Sequence, residues 1–513
     1  MASELQVLAH GLNRFSERNR HFRDFTLNLL VYAMREIIAS FPVYRTYVNG
    51  REPDVSAHDR HYIEYAVSEA KRRNPGHPSV VFDFVRGLLL KKADYIPEEE
   101  RGEHLKFVSK FQQVTSPVTA KGIEDTALYI YNRLVSLNEV GGEPDKFGIA
   151  PDALHNWLAE RARKWPHSLS ASSTHDTKRS EDVRARINVL SELPAEWRTA
   201  TGRWARMNRK ARVVIDDESY PSRNEEYLLY QTLVGTWPFA SMNAEEEHEY
   251  HDRIRDYMLK TMREAKVFTS WLNPSEPHEN AMARFVEMVL SPNNITFRRD
   301  FLEFARRIAR YGIYNSLAQL AIKIGAPGVP DFYQGTELWD FSLVDPDNRR
   351  PVDYLKRREL LDTLQEESQS GEQSTIAAEL LQHPEDDRLK LFATSTMLRA
   401  RRAAHDVFRC GAYVPLAVEG GARDHLFAFA RVLGQRQSIV AVPRLVVALK
   451  PDGDAPVGAI WRDTRIAAPE EAPRCYRQVF TGACATVIEE DGRRWIRAAD
   501  VFEHFPIGFL ETA

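Results

Sequence analysis

Hydrophobic residues recur with helical spacing through the first hundred residues of the chain. From Phe25 to Phe41 the apolar positions fall three or four residues apart, which predicts one helix that Pro42 ends. These positions are Leu29, Leu30, Ala33, Met34, Ile37 and Ile38. A second helix is predicted over HYIEYAVSEAKRRN, where a Pro–Gly break follows, and a third over VVFDFVRGLLL.

The pattern changes from about Phe107. FQQVTSPVTA and SLSASSTHD are short runs of small and β-branched residues, and a helical pattern follows each of them. This alternation predicts β/α units with a parallel sheet. A long polar helical stretch is predicted between about 190 and 320, and AIKIGAPGVPDFYQGTEL then predicts a helix, a Pro/Gly turn and a further buried strand.

The pattern of apolar residues changes again after about residue 405. HLFAFARVLG, SIVAVPRLVVAL, RQVF and RRWIRA are short apolar or alternating runs, and Gly, Pro and Asp separate them. Such runs predict an all-β module at the end of the chain.

Composition limits the classes of function. The 513 residues suggest three or four structural units at about 100–200 residues each. The 69 basic and 73 acidic residues give a net charge of −4, which argues against a nucleic-acid-binding surface. No apolar run reaches the ~18 residues of a membrane span, and charges occupy the place where a signal peptide needs its apolar core.

Cysteine usage indicates a reducing compartment. The three cysteines, Cys410, Cys475 and Cys484, are too sparse for a disulfide framework in so long a chain. No Cys/His pair has zinc-ligand spacing, so no metal site is expected. A cytoplasmic location is predicted.

The segment Ser172–Asp182 joins small residues to a His–Asp pair and a cluster of charges. If SLSASST is a barrel strand, His175 and Asp176 lie at its carboxyl end, the face where barrel enzymes hold their chemistry. A carboxylate beside Lys178 and Arg179 would stay ionised at neutral pH. The alternative is that Asp176 caps the next helix, which would begin near Lys178, and the residues alone favour neither interpretation.

Lys121 and Glu124 also follow a strand-like run. Lys121 could donate hydrogen bonds to sugar hydroxyls, with Glu124 orienting it. A glycine turn followed by an acidic first helical turn explains the same residues, and without context this second interpretation is favoured.

The apolar run that starts at Pro327 ends in Glu337 and Trp339, and carboxylates with aromatic rings suit sugar binding. Buried aromatic residues belong more often to the core, so Trp339 alone is weak evidence. The polar segment Asp345–Pro351 either lines the same face or forms a salt-bridged surface turn.

Four long blocks follow one another along the chain. They are KFQQVTSPVTAKGIEDTALYIYNRLVSLNEVGG, STHDTKRSEDVRARINVLSELP, PSRNEEYLLYQTL and PGVPDFYQGTELWDFSLVDPDNRRPVDY. Together they resemble the maltooligosyltrehalose synthases, a family of the α-amylase superfamily (glycoside hydrolase family 13). The resemblance begins with FPVYRTYV and concerns the C-terminal part of such an enzyme.

The resemblance implies an α/β fold, namely the C-terminal part of a TIM (β/α)8 barrel with large helical insertions, followed by an all-β C-terminal domain. We expect a helical insertion region over 1–105 and the second half of the barrel over 106–364, with a helical insertion at about 190–310. A helical connector over 365–405 and a C-terminal β domain over 406–513 complete the predicted organisation.

The implied activity is that of a (1→4)-α-D-glucan 1-α-D-glucosylmutase, an isomerase of trehalose biosynthesis that needs no cofactor. It converts the reducing-end α-1,4 linkage of a maltooligosaccharide into an α,α-1,1 linkage by intramolecular transglycosylation. In this superfamily a carboxylate after a His at the end of strand seven stabilises the transition state, and Asp176 matches that position. The implied substrate-binding residues are His175, Lys178, Arg179, Lys121, Glu124, Glu337 and Trp339.

The superfamily carries its nucleophile and general acid on strands that precede the His–Asp block. No Gly-x-Arg-x-Asp strand stands upstream of His175. We therefore expect a truncated chain that is inactive alone, and a partner chain that supplies the other barrel strands. The alternatives are an α-glucan hydrolase or 4-α-glucanotransferase of the same superfamily, or a non-catalytic glucan-binding fragment.

Overall fold

The computed structural model describes residues 2–92, 95–370, 373–490 and 492–512. The chain forms two compact units, Met1–Tyr129 and Ile130–Ala513. Within the described residues, no helix has the length and apolar character that crossing a membrane requires.

The first unit is helical. Its helices are α1 (Ala2–Glu17), α2 (Leu27–Ala39), α3 (Ala57–Arg73), α4 (Ser79–Leu89) and α5 (Arg101–Thr119). Their apolar faces enclose one hydrophobic core, and the side chains of Thr26 and Ser56 cap α2 and α3. The three helices predicted in this region from apolar spacing are confirmed.

The segment FQQVTSPVTA is not a strand, so that prediction was wrong. Phe107, Phe111 and Val114 follow one another at helical spacing in α5 and bury against the core of the unit. Burial at this spacing outweighs the β propensity of the individual residues. Beyond Pro117, which removes one helical hydrogen bond, the chain continues as the π-helical segment Ala120–Ala127.

The second unit contains all the described strands. They are β1 (Leu169–Ala171), β2 (Val213–Ile215), β3 (Glu218–Tyr220), β4 (Val329–Asp331), β5 (Ala412–Pro415), β6 (Val418–Glu419), β7 (Leu426–Leu433), β8 (Arg436–Pro443), β9 (Arg465–Ala467), β10 (Cys475–Gln478), β11 (Cys484–Glu490), β12 (Arg493–Arg497) and β13 (Gly508–Thr512). Nine of them form a large curled antiparallel sheet in the order β5-β7-β8-β13-β10-β11-β12-β9-β6. The all-β module predicted near the end of the chain is confirmed.

The other helices are α6 (Leu128–Ile130), α7 (Pro151–Lys164), α8 (Glu181–Val189), α9 (Pro194–Met207), α10 (Arg223–Thr236), α11 (Ala244–Ala265), α12 (Glu276–Leu290), α13 (Ile295–Gly325), α14 (Tyr354–Ser370), α15 (Gln373–Gln382), α16 (Asp387–Ala403), α17 (His405–Cys410), α18 (Val446–Leu449) and α19 (Ala498–Val501). The longest, α13, packs on α8 and on β8. A Cβ at Gly325 would overlap Val440, so glycine allows this close approach of helix and sheet.

One parallel pair stands apart from the large sheet. Leu169 and Ala171 of β1 pair in parallel with Val329 and Asp331 of β4. Among the described residues this is the one parallel pairing, whereas the predicted alternation implied a wider parallel sheet. The observed architecture is mostly helical, with the large antiparallel sheet at its C-terminal end.

A disulfide joins Cys475 of β10 to Cys484 of β11, with the two Cα atoms 5.8 Å apart. Cys410 is free and exposed. The composition of the chain did not predict this bond, because two cysteines nine residues apart indicate nothing without the turn that brings their strands together.

Candidate active site

The loops after β1 and β4 lie side by side, because the carboxyl ends of two parallel strands share one edge. Arg179 forms an antiparallel bridge with Leu343. On either side of that bridge, the Val344 N–H donates to Lys178 O at 3.1 Å and the Ser180 N–H donates to Ser342 O at 3.0 Å. The His–Asp segment and the LVDPDNRRP segment therefore form one surface.

Asp176 projects from this surface. Its side chain is 63% exposed, and Oδ2 lies 3.4 Å from His175 Nε2. Arg349 Nη2 lies 3.8 Å from Asp176 Oδ1 and 2.6 Å from Asp345 Oδ1. This carboxylate is open to a ligand on one side and faces a cation on the other.

Asp176 does not cap a helix. The following helix, α8, begins at Glu181, and the Ser180 hydroxyl accepts the Val183 N–H as its N-cap. The helix-cap interpretation of Asp176 is therefore wrong, and the carboxylate is available for another role.

Arg179 and Lys178 are both buried. The Arg179 guanidinium donates to Val135 O at 3.1 Å and to the Tyr257 hydroxyl at 2.8 Å. These contacts tie the loop to the interior of the unit, so Arg179 does not supply the cation that the sequence placed beside Asp176; Arg349 does.

Glu139, which was not predicted as a site residue, holds the backbone of the same loop. Its carboxylate accepts the Lys178 N–H at 2.8 Å and the Arg179 N–H at 3.3 Å, and Arg184 Nε lies 3.8 Å away. Two backbone bonds to one carboxylate fix the path of the chain just after Asp176. The only sequence signal was its place in the LVSLNEVGG block.

A buried charge cluster lies beneath the two loops. Lys390 Nζ lies 3.0 Å from Glu181 Oε1 and 2.7 Å from Asp182 Oδ2, and Lys323 Nζ lies 3.2 Å from Glu181 Oε2. Lys323 also donates to Ser172 Oγ at 2.8 Å. The cluster therefore joins α8, α13 and α16 to the start of the loop that carries Asp176.

Both lysines compensate for the burial of Glu181. Burial by itself would raise the pKa of Glu181, but Lys390 and Lys323 lower it to about 2. Burial by itself would lower the pKa of Lys390, but Asp182 and Glu181 raise it above its ordinary value. The ionised forms of Glu181 and Lys390 are therefore favoured, whereas burial raises the pKa of Asp182 and lowers that of Lys323. Each charge in the cluster depends on the others.

Glu337 and Trp339 lie in the loop after β4. Glu337 Oε2 accepts from Arg357 Nε at 3.0 Å and from the Gly335 N–H at 3.1 Å. Trp339 Nε1 donates to Asp386 O at 3.2 Å, and its ring packs against the hydrophobic core of the unit. These contacts give Trp339 a packing role in this structure and leave Glu337 partly exposed.

Lys121 and Glu124 belong to the first unit, on the π-helical segment Ala120–Ala127. Lys121 Nζ lies 2.6 Å from Asp125 Oδ2, and the Tyr44 hydroxyl donates to Glu124 Oε1. Glu124 is buried whereas Lys121 is exposed. Both residues therefore sit within a helix rather than at a strand end.

Among the described residues no group of three or more His, Cys, Asp or Glu side chains is placed to hold a metal ion. The candidate site therefore consists of the Asp176 carboxylate, the His175 imidazole and the Arg349 guanidinium on the two paired loops that follow β1 and β4.

No protein-family model matches the chain. Three proteins and solved structures that are similar to it share one name, maltooligosyltrehalose synthase. A Mycobacterium tuberculosis protein whose given name is maltooligosyl trehalose synthase is 37% identical over 361 residues, which are 70% of this chain and 41% of that protein. The maltooligosyltrehalose synthase from Arthrobacter ramosus is 32% identical with a TM-score of 0.76, covering 100% of this chain and 56% of that one.

A hypothetical maltooligosyl trehalose synthase from Sulfolobus tokodaii is 27% identical with a TM-score of 0.63, covering 99% of this chain and 58% of that one. The chain thus spans about half the length of the relatives that it matches. The resemblance predicted from the four sequence blocks is confirmed.

Proposed function

The chain belongs to the maltooligosyltrehalose synthase family and spans about half the length of its relatives. On this premise we propose that it carries the transition-state-stabilising part of a glucosylmutase active site. The observation that carries the proposal is the placement of Asp176. Its carboxylate is exposed at the carboxyl edge of the β1–β4 pair, beside His175 and Arg349. We place β1 and β4 as neighbouring strands in the second half of a (β/α)8 barrel.

The proposed reaction rearranges the reducing end of a maltooligosaccharide. A carboxylate attacks C1 of the second sugar while a carboxylic acid protonates O4 of the terminal glucose, so that the C1–O4 bond breaks. The released glucose turns, and its anomeric O1–H attacks C1, passing its proton to the carboxylate that had acted as the acid. The first carboxylate leaves, and an α,α-1,1 linkage has replaced an α-1,4 linkage.

Asp176 contributes to both transition states in this scheme. Positive charge develops at C1 as each bond breaks, and a fixed carboxylate nearby stabilises it more than it stabilises the neutral substrate. His175, which is equally exposed, binds the sugar at the same subsite. Arg179 and Trp339 act through the packing that holds the loops in place.

The nucleophile and the acid would come from barrel strands that pair with the free edges of β1 and β4. Leu169 and Val329 support this proposal, because these apolar residues of the two short strands are 66% and 43% exposed. The occupant would be a polypeptide equivalent to the part of the relatives that this chain does not cover.

The test is reconstitution. The chain would be co-expressed with the part of the Arthrobacter ramosus enzyme that it does not cover, and the complex incubated with maltopentaose. We expect reducing ends to disappear as a non-reducing product of unchanged mass forms. A rise in reducing ends would show a hydrolase instead, and an assembled complex without turnover would reject the activity.

Asp176→Asn tests the assignment of the residue within that complex. Loss of one charge used in the transition state should lower kcat by about 10²–10³. The chain offers a matched control, since His405–Asp406 is a second exposed His–Asp pair, with Asp406 Oδ1 3.4 Å from His405 Nδ1. Asp406→Asn should leave kcat unchanged, and near-normal turnover of Asp176→Asn would refute the role.

A further inference from the structure

The unit Ile130–Ala513 contains a cavity whose lining residues do not include the loop that carries Asp176. It is bounded by α8, α13 and the strands β7 and β8, and its volume is about 390 Å³. Its floor is apolar, with Phe427 and Val442 buried. The polar groups at its rim belong to Glu192, Asn315, Gln319 and Arg444. An apolar floor under a few convergent polar groups is the usual form of a small-ligand site.

Three of the four polar side chains at the rim are held in place by hydrogen bonds within the protein. Glu192 Oε2 accepts the Val447 N–H at 3.0 Å, and Asn315 Nδ2 donates to Ala185 O at 3.2 Å. The Arg444 guanidinium donates to a backbone carbonyl. Each of these side chains has hydrogen-bonding capacity beyond that one contact. Such groups bind a ligand without a large loss of side-chain entropy.

Two further features mark the cavity. Leu445, on the rim, has left-handed backbone angles (φ 51°, ψ 53°), which a leucine adopts only where its surroundings impose them. Burial raises the pKa of Glu192 to about 7. Its carboxyl group can therefore both donate and accept hydrogen bonds near neutral pH.

We propose that this cavity binds neutral pyranose units of a maltooligosaccharide at a distance from the reacting centre. A pyranose has apolar ring faces that match the floor and hydroxyl groups that match the amides, carboxyl and guanidinium of the rim. The Glu192 carboxyl group disfavours a phosphate as the ligand. A purely apolar ligand would leave the polar side chains of the rim without hydrogen-bond partners. The identity of the sugar rests on the proposed function, whereas binding itself requires no turnover.

Maltotriose titrated into the full chain by calorimetry tests the proposal. Gln319→Ala removes a rim amide from α13 and should weaken binding about fivefold, the factor expected for one lost hydrogen bond. Gln365→Ala is the matched control, because Gln365 is an exposed amide on α14. Asp176→Asn should also leave this affinity unchanged. No saturable binding, or binding lost in Asp176→Asn and kept in Gln319→Ala, would overturn the proposal.

A labelling experiment gives an independent readout that does not depend on Gln319→Ala folding. Ser191 lines the cavity and is exposed, so Ser191→Cys introduces a thiol there, and the exposed free Cys410 is an internal reference. Saturating maltotriose should slow alkylation at position 191 at least fivefold and leave Cys410 unchanged. Equal rates with and without sugar would reject the site.

The two proposals fail in different ways. Turnover by the reconstituted complex without protection at position 191 would reject the cavity site and leave the proposed function standing. Protection without turnover would reject the mutase activity and leave a glucan-binding site.

Discussion

Arg349 faces Asp176 across the two paired loops, with Nη2 3.8 Å from the Asp176 carboxylate and 2.6 Å from that of Asp345. The second contact fixes the guanidinium while the first leaves it close enough to act on Asp176 through its charge. Because both partners of the Asp176 pair are about half exposed, the pair adds little to the stability of the fold. Its effect should therefore be seen in the chemistry of the site.

Arg349→Ala should lower kcat of the reconstituted complex about tenfold, which corresponds to roughly 1.4 kcal/mol of transition-state stabilisation. The physical reason is the loss of a cation that orients the Asp176 side chain. The free energy of unfolding in urea should change by less than about 0.5 kcal/mol. Steady-state rates with maltopentaose and urea titration measure the two effects.

Arg350→Ala is the control for that variant. Arg350 is exposed and pairs with Asp347 at 3.1 Å. An equal fall in kcat for both variants would mean that the loop as a whole is sensitive, and the specific role of Arg349 would be rejected.

Glu139→Ala should loosen the loop that carries Asp176. Two backbone N–H groups, those of Lys178 and Arg179, lose their acceptor, at a cost of about 1–3 kcal/mol. We expect faster hydrogen exchange at these two amides together with a lower kcat. Glu139→Gln keeps one acceptor oxygen and should restore part of both. Unchanged exchange in Glu139→Ala would show that the loop does not depend on this carboxylate.

The sequence pattern correctly predicted those helices and strands that depend on residues close together along the chain. Apolar spacing predicted α2, α3 and α4, alternation predicted the strands of the C-terminal sheet, and small residues predicted β1 with His175 and Asp176 after it. The prediction of a strand over FQQVTSPVTA was wrong because it rested on the β-branched residues alone. Phe107, which precedes this run, shows that the apolar positions continue at helical spacing.

The residues that hydrogen-bond to the loop carrying Asp176 could not be predicted from local sequence pattern. Asn348 Nδ2 donates to His175 O at 3.0 Å across 173 positions of the chain, and Glu139 reaches Lys178 across 39. Such contacts depend on how the two loops pair, and pairing is a property of the assembled fold. The same reason explains why Arg349, and not Arg179, supplies the cation beside Asp176.

Lys390→Met should destabilise the second unit by about 3–5 kcal/mol, because it leaves Glu181 and Asp182 buried without their shared cation. Lys356→Met is the control, since Lys356 pairs with Asp387 at 2.7 Å on the surface, where a pair is worth about 0–1 kcal/mol. Urea unfolding of the two variants, followed by tryptophan fluorescence, measures the difference. Similar losses in both variants would show that the buried cluster does not carry the stability assigned to it.

Glu192 should make stability depend on pH in the direction opposite to that of a salt-bridged acid. Burial raises its pKa in the folded chain from 4.5 to about 7, so the folded state holds a proton that the unfolded state releases. Between about pH 4.5 and 7 the unfolded chain binds fewer protons, and stability falls as pH rises. Below that window both states are protonated, and above it both are ionised.

Glu192→Gln removes this titration while keeping the shape of the side chain and an acceptor for the Val447 N–H. Relative to the unmodified chain, the variant should gain roughly 2 kcal/mol between pH 4.5 and pH 8, after allowance for the partial exposure of the carboxyl group. Urea titrations of both chains at these two pH values measure the gain, since other titrating groups cancel in the difference. Parallel pH profiles would show that Glu192 is as well solvated in the folded chain as in the unfolded one, and its place in the wall of the cavity would then have to be abandoned.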